Sequence, residues 1–170
     1  SIIKTSDNNY IILGYFSDII KINLDGEIIW QSNYGFISFN IKETNDGSLI
    51  ICGLRDNALL EIPKLLKLNS IGVVIFMKEY LTDYYDGLFS DLTIANDNNY
   101  VMCGNYSDSS FISDKLMLLK TDTAGNQLWF VGNDSLKYNY PHSIINSYDN
   151  GFIIGGTNNR SLILEFNNVG

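Results

Sequence analysis

Histidine is almost missing from this chain: His142 is the only one among 170 residues. That excludes a histidine-rich metal centre within these residues. A Ser-His-Asp constellation would have to pair His142 with Ser143 or Ser135, and neither serine stands in a nucleophile motif. Cysteine is confined to Cys52 and Cys103, with no Cys-x-x-Cys or Cys/His pair to hold zinc. Proline occurs twice and alanine is rare, so helical architecture has little support. Lys and Arg number 11 against 19 acidic residues, a net charge of −8. A nucleic-acid partner, which needs a basic footprint, is therefore not expected. Anionic membranes find no basic patch either. No apolar run approaches spanning length, so no membrane insertion by this segment is expected.

Isoleucine, tyrosine, phenylalanine, asparagine and glycine dominate instead, which is the chemistry of strands and turns. Their order repeats. Ile20-Lys21-Ile22-Asn23-Leu24-Asp25-Gly26 closes on Trp30. The phrase returns at Leu66–Gly72 closing on Phe76, at Leu119–Gly125 closing on Trp129, and at Leu164–Gly170. The glycines Gly26, Gly72, Gly125 and Gly170 stand 46, 53 and 45 residues apart. A period near fifty signals stacked blades or a solenoid.

A second phrase precedes each of these. It reads Asp7-Asn8-Asn9-Tyr10-Ile11-Ile12-Leu13-Gly14 and recurs at Asp46–Gly53, Asp97–Gly104 and Asp149–Gly156. Asp-Asn-Asn and Asp-Gly are turn residues tolerant of positive φ. The apolar run behind them does not alternate, which predicts a strand buried on both faces. Cys52 and Cys103 share one column of this run with Leu13 and Gly155. Buried, unbridged thiols are expected there, because like positions of neighbouring blades lie too far apart to bond.

Each unit then divides into four strands. Strand a is Ile2–Thr5, Ile41–Thr44, Leu92–Ala95 and Ile144–Ser147; b is the apolar run; c carries the lysine step; d carries the closing aromatic. The fold class expected is all-β, a β-propeller of four-stranded antiparallel blades. The blades run from about 1 to 35, 36 to 82, 83 to 134 and, incompletely, 135 to 170. About 3¾ blades of a seven- or eight-bladed ring are thus predicted, completed by a missing segment or a second chain. Trp30, Phe76 and Trp129 are expected in equivalent places between blades.

The pattern [Ile/Leu]-x-x-[Asn/Asp]-x-x-Gly-x-x-x-[Trp/Phe] resembles the tryptophan-docking repeats of quinoprotein-type propellers. The Asp-x-x-Tyr-Ile-Ile-x-Gly strand is closer to the repeat propellers of bacterial surface proteins and lipoproteins. The resemblance covers essentially the whole chain and implies fold rather than activity. The alanine that usually opens the docking motif is absent, and the enzymes' cofactor and calcium ligands are not recognisable. No cofactor and no metal are expected.

Antiparallel order puts the a–b and c–d turns on one face and the b–c and d–a connections on the other. The first set is short and monotonous. The second varies in length and gathers aromatics and acids: Tyr34, Tyr80, Tyr84, Tyr85, Asp86, Tyr106, Asp108, Tyr138, Tyr140 and His142. These are the candidate ligand-binding residues, since variation on one face is where repeat scaffolds carry function. Tyrosine beside Asn and Asp can stack on sugar rings or peptide side chains while exchanging hydrogen bonds. The same rings can equally seal the rim of the core. Asp83 with Asp86 has the chemistry for glycoside hydrolysis, and Asp108 with Asp114 for calcium, but neither sits in a recognisable spacing. No catalytic residue is assigned. The function expected is a non-enzymatic protein- or glycan-binding module of a secreted or cell-surface protein. A propeller lyase or glycosidase with groups on further blades, or an architectural subunit, are the alternatives.

Overall fold

The computed structural model describes residues 1–56, 61–80, 86–107, 115–137, 140–157 and 161–167. Four antiparallel sheets follow one another along the chain. The first holds β1 (Ile2–Lys4), β2 (Tyr10–Leu13), β3 (Asp18–Ile22) and β4 (Ile28–Asn33). The second holds β5 (Ile37–Glu43), β6 (Leu49–Asp56), β7 (Glu61–Leu68) and β8 (Val74–Glu79). The third holds β9 (Asp86–Ile94), β10 (Tyr100–Ser107), β11 (Lys115–Thr121) and β12 (Gln127–Lys137). The fourth holds β13 (Tyr140–Asn146), β14 (Phe152–Thr157) and β15 (Ser161–Phe166). Strands pair in sequence order within every sheet, which is the meander of a β-propeller blade.

The turn residues explain why each hairpin closes where it does. Asn8, Asn98 and Asn150 adopt positive φ (63°, 64° and 67°), and Gly47 takes that place in the second sheet with φ 75°. The aspartate one step earlier accepts the N–H two residues on, as in Asn9 N to Asp7 Oδ1 at 3.3 Å and Ser48 N to Asp46 Oδ1 at 3.0 Å. The c–d turns close around Asn23, Asn69 and Asp122, each side-chain Oδ1 accepting two backbone N–H groups.

The lysine column completes this end of the sheets. Lys21, Lys67 and Lys120 are buried along their stems and reach the turn aspartates. Lys21 Nζ lies 2.6 Å from Asp7, Lys120 Nζ 2.7 Å from Asp97 and Lys67 Nζ 3.5 Å from Asp46. The Lys21 ammonium and the Thr5 hydroxyl hold the Asp7 carboxyl far below the usual carboxylate range. The Thr44 hydroxyl and the Ser48 N–H do the same for Asp46, with Lys67 adding to it. Burial opposes ionisation of Asp97, yet the Lys120 bond and the Asn99 N–H outweigh it and its carboxyl is lowered as well.

Packing between sheets follows the non-alternating b strands. Ile11, Leu13 and Ile19 meet Ile41, Leu49, Ile51, Leu66 and Leu68 between the first two sheets. Ile50, Cys52 and Leu65 meet Leu92, Tyr100, Met102 and Leu119 between the second and third. Val101, Cys103 and Leu118 meet Ile144, Phe152 and Ile154 between the third and fourth. Trp30, Phe76 and Trp129 flank these three clusters in turn, the equivalent places their spacing predicts. The ring of Trp30 lies over Gly72 and that of Phe76 over Gly125, each the turn glycine of the next sheet; a Cβ there would stand 3.2 and 2.8 Å from the ring. Cys52 and Cys103 are buried free thiols in different clusters. Burial pushes the Cys103 thiol up to about 12 and raises Cys52 well above its ordinary value.

The inner strands differ from their expected bounds. β5, β9 and β13 begin four to six residues before the predicted starts at Ile41, Leu92 and Ile144. Each carries one extra residue, Phe39, Ser90 and His142, where the register with strand b shifts. The bulge explains the miss, because an inserted residue breaks the alternation that marks a strand. It also explains the glycine within strand b. Ideal Cβ atoms on Gly53, Gly104 and Gly156 would lie 2.0, 1.8 and 2.3 Å from the carbonyl oxygens of Ile37, Leu88 and Tyr140. Only glycine lets the bulged strand come this close.

Candidate ligand-binding cleft

The bulged ends of the inner strands open onto the b–c and d–a face, and there a cleft of about 330 Å³ forms. Asp86, Gly87, Leu88 and Ser90 come from β9; Asn105, Tyr106 and Ser107 from the end of β10; Tyr140, Pro141 and His142 from β13; and Glu61 from the start of β7. Three sheets thus contribute to one cavity. Asp86, Tyr106, Tyr140 and His142 of the predicted candidates converge in it. All four lie in strands rather than in the connections that the sequence suggests.

The contacts fix the walls. The Asp86 carboxylate accepts the Glu61 N–H at 2.6 Å, joining the second sheet to the third. Ser90, the bulged residue of β9, donates to the Pro141 carbonyl at 2.6 Å and joins the third sheet to the fourth. His142, the bulged residue of β13, is exposed, with Nε2 at 3.2 Å from Thr157 Oγ1. Tyr106 is the floor: it is 2% exposed, its ring meets Phe130 edge-on at 5.9 Å, and the Lys115 ammonium sits 5.8 Å from its centroid. Tyr140 stands at the mouth, 40% exposed.

Below the cleft runs a polar seam that the sequence does not reveal. Asn40 donates through Nδ2 to Asp91 Oδ1, which also accepts the Leu92 N–H at 2.7 Å. Asp91 Oδ2 accepts the Ile144 N–H at 2.8 Å. A buried aspartate thereby ties three inner strands together. No local pattern marks it, because its partners come from residues about fifty positions away on either side.

The remaining candidates are placed differently. Tyr34 is half-buried against the first inter-sheet cluster, and its hydroxyl donates to the Gly72 carbonyl at 2.6 Å. Tyr80 is 8% exposed, donates to the Gly125 carbonyl at 3.0 Å and meets Phe89 edge-on at 5.8 Å. Burial raises the pKa of both phenols. These two rings join the aromatic four residues before them in covering the next sheet's turn glycine, so they seal the rim. Tyr84, Tyr85, Asp108 and Tyr138 lie outside the described residues. Glu61, Ser90, Asn105 and Ser107 also line the cleft, and no local pattern in the sequence marks them.

The opposite face also holds a cleft, of about 250 Å³, beside Thr44, Asn45, Asp46, Lys67 and Asn98. Its polar groups are bonded to one another: Asp46 to Thr44 and Lys67, and Asn45 to Asn98 at 2.6 Å. The cleft around Tyr140 is lined by a different set of groups. Two carboxylates, an amide, a hydroxyl, an imidazole and an open phenol ring line a concave site, which suits a ligand rich in hydroxyl groups. Among the described residues no group of three His, Cys, Asp or Glu side chains is placed to hold a metal ion.

No protein-family model and no curated protein sequence matches this chain. Solved structures do. A Bacteroides caccae protein of unknown function superposes with a TM-score of 0.61 at 13% identity, covering 99% of this chain and 60% of its own. A protein assigned as a gluconolactonase superposes with a TM-score of 0.53 at 9% identity, covering 96% of this chain and 62% of its own. The chain therefore spans about three-fifths of the length of these structures. At such identities the likeness concerns the fold alone, and this fold is an all-β propeller of four-stranded antiparallel blades.

Proposed function

We propose that this chain is part of a non-enzymatic interaction module of a secreted or cell-surface protein, and that it binds a glycan in the cleft between Asp86, Asn105, Tyr140 and His142. The convergence of residues from three sheets on one concave site carries this reading. An exposed tyrosine beside a proline gives a flat apolar platform for the C–H face of a sugar ring. The carboxylates of Asp86 and Glu61 accept hydroxyl protons, and Asn105 both donates and accepts. The buried wall of Tyr106 and the bulged strands hold these groups on rigid elements, so little ordering is required on binding. The docking of Trp30 and Phe76 on the next turn glycine also supports kinship with quinoprotein-like repeats, in their packing rather than their chemistry. The lactonase assignment stays with the neighbour that bears it.

Binding to a panel of immobilised oligosaccharides, followed by calorimetric titration of the strongest, tests the proposal. At least one glycan should bind, and Tyr140→Ala and Asn105→Ala should each weaken it tenfold or more, on the order of 1.4 kcal/mol. Absence of any glycan binding, with capture of a protein ligand on the same face, would replace this reading with a protein-binding one. Glycan binding indifferent to both substitutions would place the site elsewhere.

A further inference from the structure

The turn from Gly14 to Ser17, which joins β2 to β3, buries its serine and exposes its two aromatics. Ser17 is fully buried, while Tyr15 is 57% and Phe16 63% exposed. Surface turns ordinarily divide the other way, with the polar side chain in water. The conformation is firmly held. Ser17 takes a positive φ of 50°, which costs an L residue energy. Its hydroxyl donates to the Phe36 carbonyl at 2.5 Å and accepts the Phe36 N–H at 2.9 Å. Ser38 gives its N–H to the Tyr15 carbonyl and its hydroxyl to the Gly14 carbonyl, both at 2.8 Å. Asn33 Nδ2 donates to the Phe16 carbonyl at 2.9 Å. The backbone of the turn is thus fixed on the connection into the second sheet, and the two rings are what it presents.

These rings form one aromatic surface with the second sheet. Tyr15 meets Phe16 edge-on at 5.1 Å and Phe39, the bulged residue of β5, at 6.2 Å. Beside Phe16 a recess of about 340 Å³ opens over Asn33, Gly35, Phe36 and Ile37. Apart from the Tyr15–Phe16 pair, every one of these contacts is with residues 33–39, at the junction of the first two sheets. The surface continues into the cleft. Phe39, Ser90 and His142 hold the same bulge position in successive sheets. The next residues after the first two, Asn40 and Asp91, are bonded directly to each other, and Ser90 is bonded to Pro141. Aromatic surface and cleft are therefore neighbouring stretches of one rim.

We infer that Tyr15, Phe16 and Phe39 form a second subsite for the glycan proposed for the cleft, stacking sugar rings further along the same chain. This rests on the glycan reading of the cleft and adds a direction and a minimum length to it. Rings held in water by a bonded backbone lose little freedom on contact, which prepares them as anchors. The C–H faces of sugar rings stack on such rings, and the Tyr15 hydroxyl exchanges hydrogen bonds with sugar hydroxyls. The three rings carry no charge, and Asp18 beside the turn is taken by Asn33 Nδ2 at 2.7 Å. A neutral sugar therefore suits the surface better than a cation does. A chain that starts in the cleft and follows the rim passes Ser90 and Phe39 before it reaches Tyr15.

Calorimetric titration with neutral gluco-, manno- and galacto-oligosaccharides, each from disaccharide to hexasaccharide, tests this. In a series that binds, the hexasaccharide should bind at least about tenfold more tightly than the disaccharide. A Tyr15→Ala/Phe16→Ala double variant should lose that gain and keep the disaccharide affinity, with a nearly unchanged melting temperature because both rings are exposed. Tyr140→Ala should weaken every length. Phe16→Trp should keep the gain, and its emission should shift with the hexasaccharide and not with the disaccharide. A length gain that survives the double variant, or binding without any length gain, overturns the inference and leaves the cleft reading standing. No binding in any series also overturns it, and the panel of immobilised glycans then decides the cleft reading alone. A Phe16→Trp emission that responds to a proline-rich peptide or to rising protein concentration, and to no oligosaccharide, gives the surface to a protein partner or a second copy and overturns it too.

Discussion

The second and third sheets and the two outer ones are written in the same repeat, yet they stand in different environments. Leu65 and Leu118 are fully buried between neighbours, while Ile163, in the same column, lies almost wholly in solvent. Gly53, Gly104 and Gly156 are pressed against bulged inner strands, whereas a Cβ on Gly14 of the first sheet would find Asp18 no nearer than 3.3 Å. The same residue type at the same repeat position therefore carries different energetic weight. In repeat architectures stability is a sum of unit terms and neighbour terms, and among the described residues the first and fourth sheets have one neighbour each.

The sharpest way to break this comparison is to truncate one column in two places. Leu65→Ala leaves a cavity between two sheets and should cost about 2–5 kcal/mol in chemical denaturation. Ile163→Ala, at a side chain 78% exposed, should change stability by no more than about 0.5 kcal/mol. Equal losses at the two positions would mean that the fourth sheet is covered after all.

The glycine column gives a second contrast. Gly104→Ala forces a Cβ toward the Leu88 carbonyl oxygen, 1.8 Å away, and should cost about 3 kcal/mol. Gly14→Ala should cost below about 1 kcal/mol. Matching melting temperatures for the two variants would show that the bulge relaxes freely.

Acid sharpens the comparison through the lysine column. The Asp7, Asp46 and Asp97 carboxyls have lower pKa values folded than unfolded. The unfolded chain therefore binds more protons as the pH drops through about 4, the ordinary aspartate range. The stabilisation is complete above that range and is lost as pH falls toward the folded values. Melting temperature should hold steady from neutrality to about pH 5 and then decline, and Asp46→Asn should flatten the decline. An unchanged slope in that variant would detach the turn aspartates from acid stability.

The smallest effects separate the two kinds of tyrosine. Tyr80→Phe removes a hydroxyl bonded at 3.0 Å to a carbonyl and should cost about 1 kcal/mol. Tyr140→Ala should cost below about 1 kcal/mol, since its ring is 40% exposed, while weakening glycan binding. If the order of the two losses were reversed, Tyr140 would be a rim seal and Tyr80 the more open ring.

The architecture was legible because its signals are local. Asp-Asn-Asn and Asp-Gly fix positive-φ turns within three residues, Asn23 and Asn69 close their hairpins on their own backbone, and the unbroken Ile-Ile-Cys and Val-Met-Cys runs announce strands buried on both sides. The spacing of Trp30 and Phe76 from their glycines carried the docking of one sheet on the next. The cleft was legible in part. The sequence put Asp86, Tyr106, Tyr140 and His142 on one face, because strand direction alternates and assigns each connection a side. It grouped Tyr34 and Tyr80 with them, since an aromatic near a strand end reads the same whether its hydroxyl meets solvent or a carbonyl of the following sheet. Which rings are open, that Glu61 and Ser90 join the site, that Asp91 ties three inner strands and that Ile163 is uncovered all depend on partners about fifty residues or a whole sheet away. Periodicity determined the sheets one by one; only their stacking decided which side chains were covered and which tyrosines stayed open to solvent, because that depends on contacts between residues about fifty positions apart.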